Sequence, residues 1–289
     1  MSFDNAYEAL TEQNDARWAF GTGFDDPLSG VDTTVPSGVD GAVLAEYCLA
    51  LADDALVHSQ RLGEWVTRAP ELEEEVALAN IALDLLGQAR LLLSRAGQAD
   101  GTGRGEDALA YFRDAGQFRN LRLAELPRGD FACEISRSLL LSTRRLAVFS
   151  RLTGSRDPVL AAVAGKGVQE LTYHRDYAAQ WAVRLGDGTA ESHRRMQAAL
   201  DRIWPHVPEI LDTHEIDRRA VAAGIGVDPA EVRAEFDEVV DQVLTAATLQ
   251  RPEAAGIPGS GRDGAHTEHL PELLADMQGL ARAHPEATW

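Results

Sequence analysis

Two four-residue stretches hold the positions where this chain could do metal chemistry: Leu85-Leu86-Gly87-Gln88 and Leu171-Thr172-Tyr173-His174. Each sits mid-helix on an apolar face, where a four-helix protein that binds two irons through carboxylates would carry Glu-x-x-His. The three-residue step puts a carboxylate and an imidazole on one side of a helix, within reach of the same metal pair. Carboxylate oxygens bridge the irons and imidazoles complete the open positions. None of the long helical runs contains Glu-x-x-His: His58 follows Ala55 by three residues, and His174 follows Leu171. Glu170-x-x-x-His174 is what remains, one carboxylate and one imidazole on one helix. With Ala55, Leu85 and Leu171 opposite, the oxygen donors fall short of a site.

Polar groups in such a centre need partners of their own. His174 is expected to bond Gln88 or Glu170, and His58 to bond Asp54 one turn away. Asp53, Asp54 and Asp84 are expected to pair with Arg144 or Arg145. Other chemistries have weaker footing. Ser142, Ser150 and Ser155 lack a nucleophile elbow. Cys48 and Cys133 lie inside apolar helical runs, where a thiol behaves as a small hydrophobe. Gly101-Thr102-Gly103-Arg104-Gly105 lacks the Lys-Ser/Thr of a phosphate loop. His206, His214, His266 and His269 are scattered over loops and helix ends.

Long helices must position these residues. Asp40 caps a first helix with the stripe Leu44, Cys48, Leu51, Ala55, His58, Leu62, Trp65, expected to stop near Thr67. Pro70 suits the first turn of the second, which carries Leu78, Ile81, Leu85, Gln88 and Leu92 on one face and stops at Gly97. A short helix is expected at Glu106–Arg113. A second pair follows at Phe131–Leu152 and, from the cap Asp157 and Pro158, to Gly186. The 131–152 helix should bury one face through Ile135, Leu139, Ser142, Leu146 and Phe149. Beyond it come Thr189–Leu211, broken at Pro205 and Pro208, then Ala230–Leu249 and His269–Ala283. The expected class is all-α: a four-helix core over about 40–186, with a crossover at 98–130 and additional C-terminal helices over about 189–285. Residues 1–38, rich in Gly and Pro, read as an extended arm with one helical turn near Ala6–Thr11, ahead of a single helical domain at 39–289.

Composition narrows the partners. Asp and Glu total 46 against 27 Lys and Arg, a net charge of −19, and Lys166 is the single lysine. So acidic a surface repels phosphate backbones and anionic bilayers, which argues against nucleic acid and membrane, and fits adaptation to a salty cytoplasm. Met1 to Asn5 lack the basic and apolar regions of a signal peptide, and no uninterrupted apolar run reaches membrane-spanning length. The expected location is cytoplasmic.

The runs beginning Leu51-Ala52-Asp53-Asp54 and Ala69-Pro70-Glu71-Leu72, then Glu170-Leu171-Thr172-Tyr173-His174 and Arg184-Leu185-Gly186-Asp187-Gly188, together resemble the C-subunit family of phenylacetyl-CoA epoxidase. His266-Thr267-Glu268-His269-Leu270 and the closing Trp289 add to the likeness, which runs from about residue 40 to the end. The resemblance implies a ferritin-like four-helix bundle of degenerate di-iron type. It also implies a structural, non-catalytic subunit of a ring-epoxidising monooxygenase in aerobic phenylacetate catabolism. The partner would be a homologous A subunit that bears the di-iron site, with electrons from NADPH through a reductase subunit holding flavin and an iron–sulfur cluster. This chain would hold no cofactor. The A subunit's ligands would fall on Ala55, Leu85, Gln88, Leu171 and His174, with one more near Leu141 or Ser142. Two other readings stand beside this one: a free-standing di-iron oxidase or oxygenase with altered ligands, and a stand-alone helical binding module for an acyl-CoA or a protein.

Overall fold

The computed structural model describes residues 28–287, and all regular structure among them is helical. Four long helices form the centre: α1 (Gly41–Gly63), α2 (Leu72–Ala99), α5 (Phe131–Leu152) and α6 (Pro158–Gly186). Aspartates start three of them. Asp40 accepts from the Ala42 amide, Asp130 from Cys133 and Asp157 from Leu160, each satisfying a donor the helix itself leaves open. Short connections fold α1 back on α2 and α5 back on α6. Side-chain pairs then fix the directions across hairpins: residues 84 and 88 of α2 meet 174 and 170 of α6, and residues 58 and 51 of α1 meet 134 and 145 of α5. Neighbours therefore run antiparallel.

Between the hairpins the crossover carries α3 (Glu106–Tyr111) and α4 (Arg122–Glu125). After α6 come α7 (Ala190–Ile203), α8 (Val207–Leu211), α9 (Glu215–Ala222), α10 (Arg233–Ala246) and α11 (His269–Ala283). Trp204-Pro205-His206 forms a 3₁₀ turn where the sequence expects the break between α7 and α8. The short α9 is a helix that the sequence pattern did not announce. The helical turn expected at Ala6–Thr11 lies outside the described residues, whereas Leu28, Val31, Val35 and Val39 lie against the core.

Several boundaries differ from expectation. The first helix ends at Gly63 rather than near Thr67, and Thr67 itself takes a left-handed φ of 68° in the connection. Pro70 precedes the second helix, whose first residue is Leu72. That helix runs through Gly97 to Ala99; Gly97 serves close approach instead, since a Cβ there would collide with the Arg104 carbonyl. The short helix of the crossover ends at Tyr111, and a 3₁₀ turn at Pro229–Val232 leads into α10.

The largest difference concerns which helices are inside. Every residue of α5 from Ala132 to Phe149 is buried, charged ones included, so the expected single buried face is wrong. The reason is coverage: α7, α8 and α10 pack over α5, and α4 and α9 over α1. The outer sides of α2 and α6 keep exposed apolar side chains: Leu72 (71%), Val76 (51%) and Leu83 (56%) on α2, and Tyr173 (49%) on α6. By length and composition α2 is apolar enough to cross a membrane although its run is interrupted, and less than half of its most apolar window is buried.

Candidate functional site

The four long helices enclose a cavity of about 20 Å3, lined by Ala55 of α1, Leu85 of α2, Leu171 and His174 of α6, and Ser138, Leu141 and Ser142 of α5. Helical periodicity brings these positions together, because each lies on its helix's inward stripe. Gln88 is buried one turn beyond Leu85. Asp54, His58, Arg144 and Arg145 complete the wall. The residues singled out from the sequence thus converge, but their partners differ from those expected.

His174 donates through Nε2 to Asp84 Oδ2 at 3.0 Å rather than bonding Gln88 or Glu170. Gln88 is committed elsewhere: its amide donates to Glu170 Oε2 and its carbonyl accepts from Arg145 Nε, both at 2.9 Å. Glu170 also faces Lys166 at 3.5 Å, and burial raises its carboxyl above the ordinary range. Gly167 lets α5 and α6 approach closely here, since a Cβ there would meet the Phe149 ring at 2.7 Å.

His58 does not bond Asp54; it meets Glu134 Oε1 at 3.3 Å. Asp54 is taken by a bidentate Arg262, with bonds of 2.9 and 2.7 Å, by the Leu121 amide at 2.8 Å and by Arg144 at 3.6 Å. Asp53 pairs with Arg113 and the Arg119 amide instead of Arg144 or Arg145. Of the ion pairs expected from sequence, Asp54 with Arg144 alone is present. Among the described residues Arg145 has no carboxylate in contact: it donates to Gln88 Oε1 and to the Leu51 carbonyl at 3.0 Å, and stacks 4.3 Å from the Phe149 ring centroid. Burial pushes its pKa down to about 10 against the pull of Asp54, so it stays charged at neutral pH.

Sequence reasoning missed two central residues. Glu134 accepts from Trp65 Nε1 (3.2 Å), Ser138 Oγ (3.0 Å) and Arg137 Nη1 (3.1 Å) besides meeting His58. Its signal was present, since Arg137 and Ser138 lie three and four residues on, along the same helix side. Arg262 gave none: it arrives from a Gly/Pro loop, 208 residues from Asp54. The thiols match expectation, being buried, with pKa values raised by burial.

The chemistry open to this arrangement is narrow. Among the described residues no three of His, Cys, Asp or Glu group so as to hold a metal ion. The donors facing the cavity are two imidazoles and one carboxylate, and that carboxylate is held by guanidinium groups.

The Glu134 cluster sets an expected pH response. Burial is the strongest single influence on Glu134 and opposes ionisation, yet Arg137, His58 and Ser138 together outweigh it and hold the carboxyl at about 2. Burial likewise depresses His58 below its ordinary 6.5, against the pull of Glu134. Both folded-state values are lowered, so on acidification the unfolded chain takes up these protons first. Stability should be full above about pH 6.5, decline below it as His58 resists protonation, and fall further from about pH 4.5 toward 2 as Glu134 does. The Glu134 share is on the order of 3 kcal/mol. Urea midpoints measured across pH 3–8 check this: Glu134→Gln should flatten the profile below pH 4.5, and an unchanged slope would remove Glu134 as its source.

Comparison with known proteins accords with this geometry. Residues 32–289 match the family model described as phenylacetic acid catabolic protein. The chain is also 46% identical over 246 residues, covering 85% of it and 99% of the relative, to the C subunit of the 1,2-phenylacetyl-CoA epoxidase of Escherichia coli (strain K12). This chain belongs to the phenylacetic acid catabolic protein family.

Proposed function

We propose that this chain is the structural, non-catalytic subunit of a multicomponent phenylacetyl-CoA 1,2-epoxidase, a ferritin-like four-helix bundle that pairs with a homologous di-iron A subunit. The observation that carries this reading is the make-up of the cavity. Ala55, Leu85 and Leu171 present aliphatic groups where a pair of irons needs bridging oxygens, and Arg144 and Arg145 place positive charge on the same wall. A di-iron cluster does not fit this donor set. Iron belongs to the partner, and flavin and the iron–sulfur cluster to the reductase subunit. The antiparallel neighbours and the crossover between two hairpins support the bundle topology. The relative's designation as an epoxidase subunit supports the assembly.

The exposed apolar side chains of α2 and α6 support pairing through that side. These side chains stay exposed although α3 packs on α2, and α7 and α10 on α6, and grouped apolar side chains on the surface of an acidic protein mark an interface. Leu83→Glu tests it. Leu83 is 56% exposed, so the change should shift stability by no more than about 0.5 kcal/mol. Association with the co-expressed A subunit should weaken at least about tenfold, or roughly 1.4 kcal/mol. Undiminished co-purification of the folded variant would place the partner elsewhere. A chain that shows no affinity for a co-expressed A subunit, and stays monomeric alone, would favour a stand-alone binding module.

A further inference from the structure

Arg145 and His174 face the cavity from α5 and α6, and each keeps one buried nitrogen without a partner among the described residues, Nη2 of Arg145 and Nδ1 of His174. The two atoms are of opposite kind. A guanidinium N–H can only donate. His174 donates its Nε2 proton in the hydrogen bond to the Asp84 carboxylate, and in that tautomer Nδ1 is an acceptor. The residues are 5% and 2% exposed, so bulk solvent does not satisfy either atom. Leaving a buried polar atom unpaired is costly, and native interiors answer such groups with protein or ordered water.

The geometry points to a binding site for one small neutral ligand that accepts from Arg145 and donates to His174, namely a single water molecule bridging α5 and α6. Other ligand classes each fail on one wall. A cation would suit Nδ1 but is repelled by the Arg145 guanidinium. A halide would suit Arg145 but meets the lone pair of Nδ1. An apolar gas satisfies neither nitrogen. The cavity, about 20 Å3, exceeds the roughly 10–15 Å3 that one water needs.

The bridge also closes a ring. Asp84 and Gln88 stand one turn apart on α2; Asp84 holds His174, Gln88 holds Arg145, and the water joins His174 to Arg145. Through the Leu51 carbonyl the ring reaches α1 as well, so all four long helices are tied at their centre by hydrogen bonds instead of metal–ligand bonds. A second cavity of about 100 Å3, bordered by Asp212, His214 and Ser260, adjoins the first across Leu121 and Arg144. This inference holds whether or not the chain pairs with a catalytic partner.

Crystals of the full-length chain soaked in sodium bromide, with data collected at the bromine edge and at a resolution that shows ordered water, test it. The expected result is a peak of water height within hydrogen-bond distance of both Arg145 Nη2 and His174 Nδ1, with no anomalous signal. An empty cavity, an anomalous bromine or metal peak there, or density touching only one nitrogen would each overturn it. In solution, oxygen-17 relaxation dispersion should count one fewer long-lived water in His174→Phe than in the parent chain, and equal counts in a folded variant would likewise overturn it.

Discussion

Arg262→Met should destabilise the chain by about 3–5 kcal/mol, the range for removing one partner of a buried ion pair. Arg262 is 4% exposed and holds Asp54 with two nitrogens, while also donating to the Ala50 carbonyl at 2.8 Å and to the Arg119 carbonyl. Methionine keeps much of the volume but leaves Asp54 with the Leu121 amide and Arg144 at 3.6 Å. A buried carboxylate short of its main counter-charge is the expensive state, not the loss of the pair as such. Arg262→Met combined with Asp54→Asn should therefore recover part of the loss. The check is a urea midpoint for parent, single and double variants. A local signature should accompany it: this arginine, with Arg122 and Glu209, anchors the 254–264 loop, so limited proteolysis should cut there faster in the variant. Equal midpoints would mean that Arg262 ties down nothing.

A comparable loss, again about 3–5 kcal/mol, is expected for Arg95→Met. Both Arg95 and its partner Asp157 are fully buried. Arg95 also donates to the carbonyls of Thr33 and Thr34, so one guanidinium joins α2, the start of α6 and the segment that leads into α1. Asp157 has a second duty as the α6 cap, accepting from Leu160 at 2.9 Å. Replacing it with Asn removes the charge but keeps a capping oxygen. Arg95→Met/Asp157→Asn should accordingly be more stable than Arg95→Met alone. Hydrogen exchange reads the local effect: amides around residues 31–37 should lose protection in Arg95→Met while the middle of α1 keeps it. Uniform loss, or none, would contradict the role of Arg95 as the tie for this segment.

What could be read from the sequence followed from local rules. The four long helices announce themselves through a period of three and four, and aspartate caps at 40 and 157 mark where two of them begin. Because the inward stripes were legible, so was the convergence of Ala55, Leu85, Gln88, Leu171 and His174 on one centre. Partner choice was not. His174 could bond any polar group within a turn of Gln88, and the crossing of α2 with α6 selects Asp84. The burial of α5 was hidden for a related reason. Glu134 and Arg137 look like a solvated face until the crossover and the C-terminal helices are laid over α5, where Arg137 donates to the Pro127 carbonyl and Arg144 to the Ile210 carbonyl, the latter 66 residues away. Arg262 illustrates the limit: nothing near it in sequence marks an arginine in a Gly/Pro loop as the counter-charge of a core aspartate.

Iron content bears most directly on the proposal that aliphatic and guanidinium groups have taken the place of a metal site. The full-length chain, purified alone and incubated anaerobically with ferrous iron before desalting, is assayed for iron by elemental analysis. It is then offered phenylacetyl-CoA, dioxygen and an electron donor. The expected result is iron at background level and no epoxide, with activity arising only when an A subunit is added. Stoichiometric iron retained by the lone chain, or turnover without a companion, would contradict it.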